Sequence, residues 1–493
     1  WLNKSSAHSP FVPKTSTMGG SHSGPRNVDN YRQCLMLGEV PQVGSITHTG
    51  VMNEYFYLLS PCPSTGELRT EKDLEVTATC GVSRHWESGR DDLWLALGLH
   101  CKEDGLNERR PLQVVIVVDR SGSMGSGMDG HHGDRGSSKT KMQVANEVVA
   151  QILRKLTPNE SVGVVVYDDR LEVVQQLTPV RELKVDALSD RVGKVQQRGG
   201  TNMELGFREA IKQLERIPAS PDYERRVLFL TDAMPNCGGG RSALVDISAT
   251  AAKQGIHSTF IGVGLDFNSG LVDAIAKVPG GNYFSVHSEE QFHQILVDEF
   301  NYIVTPLVHD IEVCLDDPGF QIEEVFGSPD ADKATGTAVK LTTICGSAVD
   351  PRGVKGGLVL LRLTRTGEKG WQGCLRLKYR NHAGEPVQEE QSVDLLERFN
   401  KLQPSGFESS GVQKGVMLST YVSAVTEYLS KSQIDPKDLD GKGDNHSLEP
   451  LQAWMEKEIL AVGDEGLQAE VDAVRQLVAA EDSHRDNKHS GLV

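Results

Sequence analysis

The chain has 493 residues, 38% hydrophobic and 24% charged, so it is long enough for several globular domains. Acidic residues outnumber basic ones by 68 to 51, and the formal net charge of −17 argues against general binding to nucleic acid. No run reaches the ~18 apolar residues that span a bilayer, so we expect no transmembrane segment. The chain begins at Trp1 without a signal-peptide pattern, which slightly favours an intracellular location over secretion but leaves the compartment open.

Eight cysteines are present, and none forms a C-x-x-C pair. Zinc sites and dithiol redox sites are therefore not expected. Reduced thiols that act as small apolar core residues are the favoured interpretation. An even number of cysteines also permits disulfides, so the redox state stays open.

The N-terminal part of the chain predicts an arm and then two strands. Residues 1–66 are rich in Ser, Gly and Pro at first and in aromatic residues later, which indicates an extended arm followed by a docking segment. Alternating polar and apolar residues return in 67–110, with runs at 74–80 and 93–99. These runs predict two strands that form the first part of a β-sandwich.

Strands and helices alternate in residues 111–305. The apolar run 112–118 predicts a strand that is buried on both faces. After it, Met142, Ala145 and Val149 fall on one face of a predicted helix. The β-α-β alternation predicts an α/β fold with a doubly wound, mostly parallel sheet. Sheets of this kind bind ligands beyond the carboxyl ends of their strands.

Short strand patterns return in residues 306–397. Six strands are predicted there, at 307–314, 320–325, 338–344, 357–363, 373–379 and 387–393. With the two earlier strands they would complete one discontinuous β-sandwich, in which the α/β domain is inserted. Residues 398–493 predict a C-terminal helical region, with one helix over 398–430 and one or two more within 450–482.

Oxygen-bearing side chains follow three of the predicted strands. Asp119-x-Ser121-x-Ser123 comes directly after the run 112–118. Thr201 lies in a Gly-Gly-Thr-Asn loop before a helix, and Asp232 follows another apolar strand. Two carboxylates and three hydroxyls at one sheet edge would surround a hard divalent cation such as Mg²⁺, and one position would stay open for an external carboxylate.

The three sequences that carry these residues resemble a known site. DRSGSM at 119–124, GGTNM at 199–203 and LTDAMPN at 230–236 are similar to the metal-ion-dependent adhesion site of von Willebrand factor A domains. One position departs from the family pattern, because Ala233 stands where the family usually has Gly.

The resemblance implies a metal site with Mg²⁺, or alternatively Ca²⁺ or Mn²⁺. It implies three hydroxyl ligands that contact the metal, and two carboxylates that bind it directly or through water. The hydroxyl ligands would be Ser121, Ser123 and Thr201, and the carboxylates Asp119 and Asp232. It also implies a protein partner whose Asp or Glu completes the coordination of the metal.

A weaker resemblance covers most of the chain. Residues 27–59 are similar to the lead-in of bacterial YfbK-like von Willebrand proteins, which place an N-x-R-x-x-L-x-x-G-x-x-P stretch and an N-Y-F motif before the A domain. The matching residues here are Arg32, Leu35, Gly38, Pro41 and Asn53-x-Tyr55-Phe56. This resemblance implies the architecture more than an activity.

Two other loops contain possible metal ligands. The loop 125–138 includes His131 and His132, but a glycine-rich loop that selects partners is the favoured interpretation. Residues 438–449 resemble an EF-hand loop, although Lys442 occupies a ligand position. An ordinary acidic loop is favoured there, and calcium binding stays open.

Catalysis has little support in the sequence. Ser121 and Ser123 have no sequence signal for a catalytic base, and their motif lacks the nucleophile-elbow pattern. We therefore expect a non-enzymatic interaction or adhesion module that binds a partner's carboxylate through a divalent cation. The alternative is a scaffold subunit of a larger assembly, in which the metal only stabilises the fold.

Overall fold

The computed structural model describes most of the chain. The described residues are 20–22, 28–36, 41, 43–59, 72–101, 109–128, 139–232, 240–263, 274, 277–286, 288–328, 330–347, 349–350, 352–367, 372–381, 383–402, 404–432 and 448–490. Residues 129–138 of the glycine-rich loop and all but the last two residues of the EF-hand-like loop lie outside them, so both metal hypotheses stay predictions.

Within its described residues, the N-terminal part contains two α-helices and four strands. They are β1 (Gly20–His22), α1 (Val28–Met36), α2 (His48–Met52), β2 (Phe56–Tyr57), β3 (Glu75–Arg84) and β4 (Asp91–His100). The Thr47 side chain accepts a hydrogen bond from the Gly50 amide at 3.1 Å and so caps the start of α2. Strands β3 and β4 pair antiparallel along their full length.

The middle of the chain folds around a six-stranded sheet. Its elements are β5 (Leu112–Asp119), α3 (Lys141–Lys155), β6 (Ser161–Tyr167), β7 (Leu171–Pro179), α4 (Val185–Val192), α5 (Met203–Glu215), β8 (Glu224–Thr231), α6 (Gly240–Ala252), β9 (Ile256–Val263), β10 (Asn282–Val286), α7 (Glu289–His293) and α8 (Phe300–Ile303). The strand order is β10-β9-β8-β5-β6-β7, and only the β6–β7 pair is antiparallel. This confirms the predicted doubly wound, mostly parallel α/β fold.

Side chains on the two faces of β5 enter two separate apolar cores. Val114, Ile116 and Val118 belong to the core that α3 covers, whereas Val115 and Val117 belong to the core that α5 covers. Successive residues of a strand point to opposite faces, so a strand with helices on both sides is apolar throughout. Every residue of β5 is buried.

Two antiparallel sheets combine strands from both sides of the α/β domain. The later strands are β11 (Pro306–Asp316), β12 (Phe320–Phe326), β13 (Thr337–Gly346), β14 (Val349–Asp350), β15 (Gly353–Lys355), β16 (Leu358–Arg365), β17 (Gly373–Arg380) and β18 (Pro386–Val393). One sheet has the order β1-β13-β11-β17-β18, and the other has β12-β16-β4-β3 with Gly406–Phe407 (β19) at its edge. Leu95 and Leu361 from one sheet share a core with Val313 and Leu377 from the other. This confirms a sandwich that the α/β domain interrupts.

The C-terminal helices depart from the prediction at one point. The expected helix over 398–430 is two helices, α9 (Leu395–Leu402) and α10 (Ser410–Ser432), with β19 between them. Pro404 lacks the amide hydrogen that a helix needs, and Gly406–Phe407 instead pairs with β3. Two further helices follow, α11 (Glu449–Val462) and α12 (Gln468–Ser490).

A buried carboxylate on the last helix contacts two residues of the N-terminal segment. Glu470 is fully buried and accepts a hydrogen bond from the Tyr55 hydroxyl at 2.7 Å. Arg32 forms an ion pair with the same oxygen. Two distant parts of the chain therefore share one core, although the exact domain ranges stay a prediction.

No described helix is both long enough and apolar enough to cross a membrane.

Candidate metal site

Asp119 lies at the carboxyl edge of the parallel sheet, where three strands hold its buried carboxylate. Its Oδ1 accepts a hydrogen bond from the Ser121 amide at 2.7 Å. Its Oδ2 accepts hydrogen bonds from the Thr231 hydroxyl at 2.7 Å and from the Tyr167 hydroxyl at 3.1 Å. Burial raises the pKa of Asp119, although the hydrogen bonds from Thr231 and Ser121 oppose this. A cation beside this carboxylate would stabilise its charged form.

Hydroxyl groups connect the first loop to the second carboxylate. The Ser121 and Ser123 hydroxyl oxygens are 3.0 Å apart. The Ser123 hydroxyl donates to Oδ1 of Asp232 at 2.8 Å. Ser121 precedes the turn Gly122–Gly125 and Ser123 lies in it, and the fully buried side chain of Met124 anchors this turn. Four of the five predicted ligands are thus joined in one hydrogen-bonded cluster.

Thr201 lies on a neighbouring loop and is exposed. Among the described residues its hydroxyl has no hydrogen-bond partner, so the structure does not join it to the cluster. Its loop nevertheless docks on the first one, because the Gly122 amide donates to the Gly199 carbonyl at 3.2 Å. Gly199 has a φ of +71°, a left-handed backbone conformation that residues with a Cβ rarely adopt, so this position of the loop favours glycine.

A further carboxylate, Asp168, ties the two loops together. It is buried at the end of β6 and accepts hydrogen bonds from Nε of Arg120 at 2.9 Å and from Nε of Arg198 at 2.7 Å. Arg120 belongs to the first loop and Arg198 precedes Gly199 on the second. Burial would raise the pKa of Asp168, but the hydrogen bonds from Arg198 and Arg170 and the charge of Arg120 lower it to about 2.

Lys141 brings a positive charge to the cluster. It is the first residue of α3, and its Nζ donates to Oδ2 of Asp232 at 3.0 Å. Its side chain is 12% exposed, whereas the Asp232 side chain is fully buried. Helix α3 is fixed by a capping box of Thr140 and Gln143, which sets where the lysine lies.

Sequence reasoning missed four residues that surround the predicted ligands. They are Lys141, Tyr167, Asp168 and Thr231. Three of them carry a signal that could have been used, because Tyr167, Asp168 and Thr231 stand at the carboxyl ends of β6 and β8, the strands that pair with β5. No local motif marked Lys141, since its contact with Asp232 depends on how α3 packs.

The donor set fits a hard divalent cation. Every side-chain donor of the cluster is an oxygen atom, as Mg²⁺, Ca²⁺ and Mn²⁺ prefer. Among the described residues around the cluster, no histidine or cysteine contacts Asp119, Ser121, Ser123 or Asp232. Ala233, which departs from the family pattern, lies outside the described residues.

The fold and the cluster at its edge define a chain that carries a von Willebrand factor type A domain. The model of this family matches residues 114–235. The match covers the strand that ends at Asp119, both loops and Asp232.

Among individual proteins, the chain is similar to YfbK of Escherichia coli, with 18% identity over 293 residues, which are 57% of this chain and 47% of YfbK. YfbK is a homologue, as the N-terminal resemblance implied. The chain is also similar to the protein sll0103 of Synechocystis sp., with 23% identity over 188 residues, or 38% of this chain. The alignment spans 40% of that relative. A solved structure, the ArnB paralog VWA2 from Sulfolobus acidocaldarius, aligns with 83% of this chain and 98% of its own at 11% identity, with a TM-score of 0.44.

Proposed function

We propose that this protein is an interaction module that binds a carboxylate of a partner protein through a divalent cation. Five residues would hold the cation: Asp119, Ser121, Ser123, Thr201 and Asp232. The observation that carries the proposal is the cluster itself, in which two buried carboxylates and two serine hydroxyls meet at the carboxyl edge of the sheet. Mg²⁺ is the favoured ion, and Ca²⁺ or Mn²⁺ would suit the same oxygen donors.

The surrounding residues prepare the site for a cation. Tyr167 and Thr231 orient one oxygen of Asp119, and Asp168 fixes the two loops. Such partners orient metal ligands and keep them from rearranging when the ion is bound. Thr201 is exposed on the loop whose Gly199 carbonyl accepts from the Gly122 amide, and we assign its hydroxyl as the fifth ligand.

We also propose a binding role rather than a catalytic one. The Ser123 hydroxyl donates to a carboxylate, and among the described residues no imidazole contacts Ser121 or Ser123. A serine nucleophile needs an adjacent base to activate it. The bound cation supplies a directional positive charge, and the partner's Asp or Glu supplies the remaining ligand.

The direct test is Mg²⁺ binding to the full chain, measured by calorimetry with Asp119→Asn beside the wild type. Removal of a residue that only hydrogen-bonds to a metal ligand usually lowers metal affinity by ~10–100-fold. Loss of a ligand itself should therefore lower the affinity by more than about 100-fold. Asp190→Ala, at an exposed position on α4, is a control that should bind as the wild type does. Wild-type protein that binds no Mg²⁺, Ca²⁺ or Mn²⁺ would refute the proposal.

The scaffold alternative predicts a different outcome for the same protein. Its metal would raise the melting temperature, but association with partners would be the same with and without EDTA. A pull-down in both conditions, with Asp119→Asn alongside, separates the two functions. Association that survives both EDTA and the substitution would favour the scaffold.

A further inference from the structure

A groove of about 590 Å³ runs along helix α3. One wall is the helix from Thr140 to Arg154, and the other wall is the loop after α4, with Gly193 and residues 195–197. We name it the α3 groove. At ~1.5 Å per residue, this stretch of helix is about 21 Å long. An extended chain of about six residues covers that distance at ~3.3 Å per residue.

One end of the α3 groove lies next to the candidate metal site. Gln197 packs on Gly125 of that site, since a Cβ added to Gly125 would lie 3.0 Å from the Cγ of Gln197. Thr140, at the same end, directly precedes Lys141, whose Nζ contacts Asp232. A protein chain that places a carboxylate at the metal site would therefore have the groove directly beside it.

Side-chain amides line the α3 groove, and several of their polar groups are free. Asn146 is 6% exposed. Its Nδ2 donates to the Val195 carbonyl at 3.0 Å, whereas its Oδ1 has no partner within the described part of the chain. Three further lining side chains form no hydrogen bond with another described residue: Gln151, Gln196 and Gln197. A buried polar atom without a partner lowers stability, and a ligand that donates to it removes this cost.

The backbone of the loop is also free along this groove. The amides of Val195 and Arg198 both donate to carbonyl groups of the protein. Between them, the backbone amides and carbonyls of Gln196 and Gln197 form no hydrogen bond with any other described residue. Free peptide groups of this kind pair with the main chain of an extended segment, as those at the edge of a sheet do.

We infer that the α3 groove binds an extended segment of the partner protein, directly next to the acidic residue that the metal site would bind. Side-chain amides and free backbone groups both donate and accept hydrogen bonds, as a peptide backbone does. They therefore match an extended peptide without requiring a charge on it. The inference rests on the proposed function for the position of the partner's acidic residue.

The test measures the fluorescence anisotropy of a tetramethylrhodamine-labelled peptide, (Thr-Ser)3-Asp-(Ser-Thr)3-amide, with the full chain and Mg²⁺. Residues on both sides of its Asp allow either chain direction, and Thr favours an extended chain. Ala150→Phe places a large ring in the groove and should weaken binding about tenfold, because several hydrogen bonds are lost. Ala249→Phe makes the same change at a partly exposed position of α6, on the other face of the sheet, and should leave binding unchanged.

Two further measurements separate this inference from the proposed function. Calorimetry should show that Ala150→Phe binds Mg²⁺ as the wild type does, since the substitution lies outside the metal site. A matched peptide with Asn in place of Asp should bind more weakly than the Asp peptide, and Ala150→Phe should weaken it further. Melting temperatures show whether each variant is folded.

The outcomes are distinct. Equal binding of the Asp peptide by the wild type and Ala150→Phe would overturn the groove inference and leave the metal site standing. Wild-type protein that binds neither peptide would also overturn it, and so would protein that binds only an oligosaccharide such as maltohexaose. Binding that is the same in EDTA and with the Asn peptide, yet weaker in Ala150→Phe, would support the groove and refute metal-dependent recognition.

Discussion

A carboxylate lies at each end of strand β8, Glu224 at its start and Asp232 directly after its last residue. The groups that contact these two carboxylates differ. Glu224 is contacted by Nη2 of Arg226 at 3.0 Å, Nη2 of Arg110 at 3.1 Å and Nδ1 of His257 at 2.7 Å. Burial would raise the pKa of Glu224, but His257 and the two arginines lower it to about 2. Two arginines and His257 therefore contact this carboxylate.

At the other end, Asp232 directly follows the strand and lies in one cluster with Asp119. Among the described residues, Lys141 is the only cation that contacts either of them. The other contacts come from the Ser121 amide and from hydroxyl groups, and the hydroxyl groups can turn their oxygen atoms toward an ion. The two arginines already neutralise Glu224, whereas the one lysine at Asp232 leaves the cluster of Asp119 and Asp232 with an uncompensated negative charge that attracts a cation.

The largest expected effect concerns Glu224. Glu224→Ala would leave the fully buried Arg226 without its charge partner and should lower the free energy of unfolding by about 3–5 kcal/mol. Urea unfolding followed by circular dichroism measures this. The folded variant should bind Mg²⁺ as the wild type does. A loss of stability below about 1 kcal/mol would contradict the structural role of this end of β8.

The matching change at the other end is Asp232→Asn. It should reduce Mg²⁺ affinity by more than about 100-fold, because a ligand is lost. It should cost little stability, since Lys141 is partly exposed and can turn to water. Calorimetry with Mg²⁺ and urea unfolding measure the two effects. Large destabilisation with intact Mg²⁺ binding would reverse the roles that we assign to the two ends.

The stability of the folded protein should also fall at acid pH because of buried groups near Glu224. Burial and the charge of His257 lower the pKa of His309 to about 4 from an ordinary 6.5, so it is neutral in the folded protein. The unfolded chain binds the proton more readily, and stability therefore falls as the pH drops from about 6.5 to 4. The contribution of Glu224 is lost only below its ordinary pKa of 4.5, toward about 2.

His309→Gln isolates this contribution. Between pH 6 and 4.5, the slope of the unfolding free energy against pH reports how many more protons the unfolded chain binds than the folded one. His309→Gln should lower this number by about one. Part of the slope should remain, because burial also lowers the pKa of His48 and of His100 to about 4. Urea unfolding at a series of pH values measures the slope. An unchanged slope would show that His309 does not contribute.

The smallest expected effect belongs to Lys141. Lys141→Gln removes a positive charge that lies 3.0 Å from Asp232 and so competes with the cation. Mg²⁺ affinity should rise by about tenfold, which corresponds to about 1.4 kcal/mol. Lys184→Gln, on the same domain and outside the cluster, serves as the control. Weaker Mg²⁺ binding in Lys141→Gln would show that the lysine supports the ion.

Local patterns in the sequence were enough for the α/β fold and for the strand-end position of the candidate ligands. The run before Asp119 is apolar at nearly every position, as a strand buried on both faces requires. Contacts between distant segments could not be read in this way. Lys141 meets Asp232 only through the packing of α3. The break between α9 and α10 was missed because the pairing of Gly406–Phe407 with β3 is also non-local.

Strand β5 runs from the sandwich side of the α/β domain to the candidate site in eight residues, from Leu112 to Asp119. It is hydrogen-bonded on both sides, to β6 and β8. The residue that ends it therefore stands at the edge of the sheet on a strand that has neighbours along both sides. If a partner binds there as proposed, it is attached to a central strand of the sheet and not to the edge strands β7 or β10.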